Sequence, residues 1–137
     1  MLGEMFVDVA ISDDGNYVAV AGGAPIGPST VYYWADATTR TGTSEPHTWA
    51  GGVDVIFTSV DISCDGDSVI AGAGIPLVTY IAGGGATVAA APATVPVSGS
   101  VYFWGGAADL SGNPAPSWIY QTLNPVGDVA INDAGTY

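Results

Sequence analysis

The run Asp61-x-Ser63-x-Asp65-Gly66-Asp67 sets side-chain oxygens at alternate positions ahead of a glycine. That is the front of a calcium loop, where such oxygens wrap the ion and the glycine makes the sharp turn. The acid that closes such a loop is missing, because Gly72 stands in its place. Asp61 and Ser63 also fall on a predicted strand, so Asp61, Ser63 and Asp65 are only weak candidates for calcium, and turn formation is the better use of the aspartates. Asp13, Asp14 and Asp133 crowd equivalent turns, where short carboxylates accept local backbone N–H groups.

Other reactive groups stand alone. Cys64 is the single cysteine, which rules out a disulfide framework or a CxxC site within one chain. Its acidic flanks disfavour the thiolate. His47 has no second histidine and no nearby cysteine, so neither a zinc site nor a nucleophile–base pair is indicated. It reads as a loop residue beside Trp49. Arg40 is the only basic side chain, with Asp36 and Glu45 in reach along the chain, and the glycine runs at 22–23 and 83–85 lack a phosphate-loop context. No catalytic or cofactor-binding residue is assigned, and the chain reads as a non-enzyme.

The elements that would hold these residues follow from composition. The chain has 137 residues, 13 Asp+Glu against one Lys+Arg, and a net charge of −12. One domain is expected at this length, and the charge repels nucleic acid and anionic membranes. With 48% hydrophobic residues and only 10% charged, the chain can build a core and is not of disordered composition. The 20 Gly and 9 Pro argue against long helices, and membrane insertion by a helix is not expected.

An internal repeat organises the chain. Val9-Ala-Ile-Ser-Asp-Asp-Gly15-Asn-Tyr17, Val60-Asp-Ile-Ser-Cys-Asp-Gly66-Asp-Ser68 and Val129-Ala-Ile-Asn-Asp-Ala-Gly135-Thr-Tyr137 share one pattern. Val31-Tyr-Tyr-Trp34 matches Val101-Tyr-Phe-Trp104, and Trp49 is matched with Trp118 by allowing one residue of slippage. Alternating β-prone runs around an Asp-Gly turn predict hairpins. Each unit reads as four antiparallel strands, giving an all-β fold. The units span 9–59 and 60–128, with a partial unit at 129–137 and an uncharged apolar insertion within 75–100. Gly15 and Gly66 lie 51 residues apart, at the upper end of the length of a propeller blade, about 40 to 50 residues.

This pattern, Val9 to Gly22 with Val31 to Trp34 and Val60 to Gly74 with Val101 to Trp104, resembles the WD40/PQQ-like β-propeller repeats of archaeal and bacterial envelope proteins. The resemblance implies four-stranded blades in an incomplete ring. It says little of function, because propellers host many.

The expected role is structural: self-assembly into a filament or ring through strand edges and the insertion, in an extracellular or cell-surface setting. The interface is expected at Phe6, Val9, Ile11, Leu77, Tyr80, Ile81, Val88, Val129, Ile131 and Tyr137. Phe6 to Tyr17 recurs as Val126 to Tyr137, so strand complementation between copies is the expected contact. Two alternatives stand beside it: a fragment of a larger PQQ-like propeller, and a carbohydrate-binding module using aromatics near Asp36 or Asp109. No cofactor is expected beyond the weak calcium possibility.

Overall fold

The computed structural model describes residues 5–23, 29–41, 46–51, 55–74 and 99–135. Strands β1 (Met5–Ile11), β2 (Val18–Gly23), β3 (Ser29–Trp34) and β4 (His47–Ala50) form one antiparallel sheet in chain order. Strands β5 (Ile56–Ile62), β6 (Ser68–Gly74), β7 (Gly99–Gly105) and β8 (Trp118–Thr122) form a second sheet in the same way. The fold is all-β. Leu77, Tyr80, Ile81, Val88 and Tyr137 lie outside the described residues, as does most of the expected insertion.

The two sheets share their registers. Ile11 pairs with Val18 as Ile62 pairs with Val69, and Val18 pairs with Trp34 as Val69 pairs with Trp104. Both first strands carry an irregularity at the same place, between Phe6 and Asp8 and between Phe57 and Ser59.

The Asp-Gly turns show why these residue types recur. Gly15, Gly66 and Gly135 have φ of 73°, 75° and 63°, a left-handed conformation that glycine adopts without steric cost. Each donates its N–H to the carbonyl three residues back, at 2.9 Å: Ser12, Ser63 and Asn132. In the first turn Ser12 Oγ donates to Asp14 Oδ1 (2.7 Å), which also accepts the Asn16 N–H (2.9 Å). In the second, Ser63 Oγ donates to Asp65 Oδ1 (2.6 Å), which accepts the Asp67 N–H (3.0 Å). Serine and aspartate therefore replace the backbone bonds that a tight turn leaves open.

Alternation along the strands gives each sheet two faces. The face carrying Trp34 in the first sheet and Trp104 in the second is called the front; the opposite face is the back. The front of the second sheet packs on the back of the first. Trp49 from the first back stacks on Trp104 from the second front, with ring centroids 4.9 Å apart. Tyr33 stacks on Trp49 at 5.1 Å, and Phe57 meets Tyr102 edge-on at 5.3 Å. Ala19, Ala21, Val31, Val60, Ile62, Val69 and Ala71 fill the rest of this buried layer. Trp104 donates its indole N–H to the Pro114 carbonyl at 3.4 Å. Trp49 differs, because its buried Nε1 has no partner among the described residues. Its ring lies flat between Tyr33 and Trp104, so packing alone fixes it.

Gly66 is also covered. The Tyr17 ring lies where a Gly66 side chain would project, and Tyr33 Oη donates to the Gly66 carbonyl at 3.0 Å. Gly112 has a like φ of 73° with nothing within 4 Å of its Cβ position. Gly112→Ala should cost about 1 kcal/mol from backbone strain alone. Gly66→Ala should cost clearly more, by about 1–3 kcal/mol of overpacking, in urea unfolding. Equal losses would show that the Tyr17 contact carries no energy.

Candidate interaction surface

The contact between the sheets defines what each exposed face lacks. On the front of the second sheet, Val60 and Ile62 are 4% and 7% exposed. Their counterparts on the front of the first sheet, Val9 and Ile11, are 64% and 61% exposed. Phe6 is also exposed, its ring edge-on to Tyr32 at 5.7 Å, and Tyr32 stacks on Trp34 at 6.2 Å. A shallow apolar depression runs through Phe6, Val9, Val20 and Trp34.

The back of the second sheet is the complementary face. Val31 pairs with Trp49 in the first sheet, and Val101 pairs with Tyr120 in the second. Tyr120 therefore holds the place of Trp49, and Trp118, which pairs with Phe103, holds the place of His47. This corrects the matching of Trp49 with Trp118. It also moves His47 out of a loop: it opens β4, paired with Tyr33, with ring centroids 6.4 Å apart. Trp49 is fully buried, whereas Tyr120 is 66% exposed. Phe103 and Trp118 stack at 5.2 Å beside it, and Val101 lines the same depression. Neither Trp118 nor Tyr120 was among the expected interface residues. Equal strand register, rather than equal residue type, is the signal that finds them.

Part of this back face is already covered. Residues 125–132 run across it as an extended segment that ends in the turn at Gly135, with no sheet partner among the described residues. Val126 and Val129 lie over Gly72, where a Cβ would come within 2.7 Å of the first and 3.1 Å of the second. The Val126 N–H donates to the Ala73 carbonyl (3.3 Å) and the Thr58 hydroxyl donates to the Val126 carbonyl (2.6 Å). Val129 and Ile131 are thus half-buried on the second sheet, as Val60 and Ile62 are buried on the first.

The backbone bonds between turns repeat from one contact to the next, whereas the carboxylates that cross the contacts stand at different register positions, Asp8 where the second sheet has Ser59 and Asp61 where the first has Ala10. The Asp13 N–H donates to the Cys64 carbonyl at 3.2 Å, and the Cys64 N–H donates to the Asp133 carbonyl at 3.2 Å. Asp8 accepts its neighbour Val9's N–H on Oδ1 (2.9 Å) and the Val60 N–H on Oδ2 (2.9 Å). Asp61 accepts the Ile62 N–H on Oδ1 (2.9 Å) and the Ile131 N–H on Oδ2 (2.8 Å). Asp8 thus bridges β1 and β5, and Asp61 bridges β5 and the extended segment at Ile131.

The calcium candidates are therefore committed elsewhere: Asp61 to two amides, Ser63 and Asp65 to their own turn. No cluster of three or more His, Cys, Asp or Glu able to hold a metal occurs among the described residues. Arg40 donates its Nε–H to the Ala35 carbonyl at 2.7 Å. Partial burial, with Asp13, Asp133 and Asp65 nearby, pushes the Cys64 thiol above its ordinary value, so it is a poor nucleophile at neutral pH. Burial pushes Tyr33 up as well. No helix of the described residues is long and apolar enough to cross a membrane.

No family model, no curated protein and no solved structure matches this chain.

The turn carboxylates titrate with the fold. The Asn16 N–H and the Ser12 hydroxyl hold Asp14 below its ordinary value of 3.8, and the Ser63 hydroxyl and Asp67 N–H do the same for Asp65. A depressed folded-state value stabilises the fold above pH 3.8, and that contribution is lost as pH falls through the lowered value. Asp14→Asn with Asp65→Asn should flatten the acid limb of a pH–stability curve measured by urea melts. An unchanged limb would assign acid sensitivity to other carboxylates.

Proposed function

We propose that the protein is a structural, self-associating protein built from propeller-type blades, in which the back of the second sheet receives the front of the first sheet of another copy. The observation that carries this reading is Tyr120, exposed at 66% in the place where Trp49 is fully buried by the next sheet. The same reading accounts for Val9 and Ile11, exposed where Val60 and Ile62 are buried. Monomeric soluble proteins seldom leave contiguous apolar faces of this kind open. The aromatic pile Tyr33–Trp49–Trp104 supplies the template: Phe103 and Tyr120 of one copy meet Trp34 and Tyr32 of the next.

The working parts are surfaces, and no reaction is assigned to them. Front-on-back addition closes a ring if its rotation closes and otherwise continues; the open filament is the form proposed. The net charge of −12 opposes association between copies, and salt screens that repulsion. A saline extracellular or cell-surface setting suits such a composition.

Purified protein at micromolar concentration should sediment as species larger than 13.7 kDa. Raising ionic strength from about 0.01 M to about 0.15 M shortens the screening length from roughly 30 Å to roughly 8 Å and should strengthen association. Tyr120→Asp should weaken it at least about tenfold, or about 1.4 kcal/mol, while leaving monomer stability within about 0.5 kcal/mol. A compact 13.7 kDa species at both salt concentrations would sink the proposal.

A further inference from the structure

The back of the second sheet holds an extended segment that matches, by sequence, the start of a sheet like the first. Residues 126–135 match β1 and its turn: Asp8, Val9, Ala10 and Ile11 recur as Asp128, Val129, Ala130 and Ile131, and Asp13 and Gly15 recur as Asp133 and Gly135. The local geometry matches too. Asp128 Oδ1 accepts the Val129 N–H at 3.0 Å, as Asp8 Oδ1 accepts the Val9 N–H at 2.9 Å. Among the described residues Asp128 makes no other side-chain bond, whereas Asp8 reaches across to the Val60 N–H.

This segment creates a conflict for any copy that docks front on back. The docking copy's β1 and the receiving copy's segment 126–131 claim the same place over Gly72. One of them has to give way, and the structure distinguishes them. Val129 and Ile131 are already half-buried on the second sheet, whereas β1 turns Val9 and Ile11 to solvent. The segment also lacks a sheet partner among the described residues, while its side chains are those that β2 already pairs with.

Resting on the self-association proposed above, we infer that segment 126–131 of one copy pairs with β2 (Val18–Gly23) of a second copy and displaces that copy's β1. The register is that of β1 on β2: Asp128 opposite Ala21, Val129 opposite Val20, Ala130 opposite Ala19 and Ile131 opposite Val18. Because the four paired residues are identical to those they replace, the exchanged ladder costs little relative to the original one, which is the usual condition for strand swapping. Asp128 then takes over the bond of Asp8, its Oδ2 accepting the Val60 N–H of the second copy. The Phe6 ring leaves Tyr32, and the aromatic face of Tyr32 and Trp34 turns to Tyr120 of the first copy. The occupant is therefore a second copy of this chain, bound by backbone pairing and aromatic stacking together.

The test uses full-length protein with Cys64→Ser, so that the only thiol is an introduced one. Val20→Cys and Val129→Cys are made in separate batches, mixed and oxidised mildly under conditions where the parent assembles. A disulfide-linked dimer containing both variants should form at least about tenfold above the amount given by either batch alone. An excess of a synthetic peptide of residues 126–137 should suppress it. A Val9→Cys/Val20→Cys double variant in the same Cys64→Ser background, assembled with its thiols reduced and only then oxidised, reports the alternative: its intrachain link should form less than in the unassembled protein when β1 is displaced. Assembly without the mixed disulfide, and with the intrachain link intact, would overturn the exchange while leaving front-on-back docking in place. Absence of both the disulfide and assembly at either ionic strength would overturn the exchange together with the self-association on which it rests.

Discussion

Everything in the arrangement of the two sheets depends on one indole pair. Trp49 and Trp104 stack 4.9 Å apart and belong to different sheets. Each is held by its own sheet's aromatics, Tyr33 behind the first and Tyr102 beside the second, at 5.1 Å and 6.0 Å. Offset aromatic pairs contribute about 0.5–1.5 kcal/mol each beyond the area they bury, and here the pairs are linked in series. The small residues follow from this. Ala19, Ala21, Ala71 and Ala73 occupy the central strands of the layer, and only side chains of that size let two sheets approach closely enough for flat rings to meet at their margins.

The second constraint is electrostatic. With 13 acidic residues and one basic one, carboxylates close to the core have few cations to pair with. Asp8 and Asp61 resolve this by accepting two backbone N–H groups each, one from their own strand and one from the next. The same charge that keeps an apolar β-protein in solution therefore also ties β1 to β5 and β5 to the segment at Ile131.

The hairpins were legible in the sequence because the Asp-Gly turn fixes where each pair of strands reverses. Gly15, Gly66 and Gly135 all take the left-handed conformation that such a turn requires. The aromatic strands were legible from Val31–Trp34 and Val101–Trp104, which are β3 and the centre of β7. The outer strand was not. Tyr33 and His47 are 14 residues apart, and their counterparts Phe103 and Trp118 are 15 apart. Matching one tryptophan with the other assumes a shorter connection where the second sheet has a longer one, and a misplacement in a strand changes which residue counts as core. Hence that match sets Trp118 opposite the buried Trp49 and leaves the exposed Tyr120 without a counterpart. Val9 and Ile11 follow from the alternation of β1 after Asp8, whereas Phe6 shares their face only because the irregularity between Phe6 and Asp8 shifts it by one residue; the exposure of all three follows from the absence of a neighbouring sheet on that side among the described residues.

The bonds between turns have a consequence for symmetry. Asp13 donates to Cys64, and Cys64 donates to Asp133, so every step runs from amide to carbonyl in the same sense. Front meets back at each step, never front to front. A two-fold axis between neighbouring sheets would have to match each bond with its reverse, and this geometry contains none. The contact is heterologous: the series has a head and a tail of different chemistry, a turn carbonyl at Asp13 and a turn amide at Asp133. An array extended by the same rule is a vectorial object, with two ends that are not interchangeable.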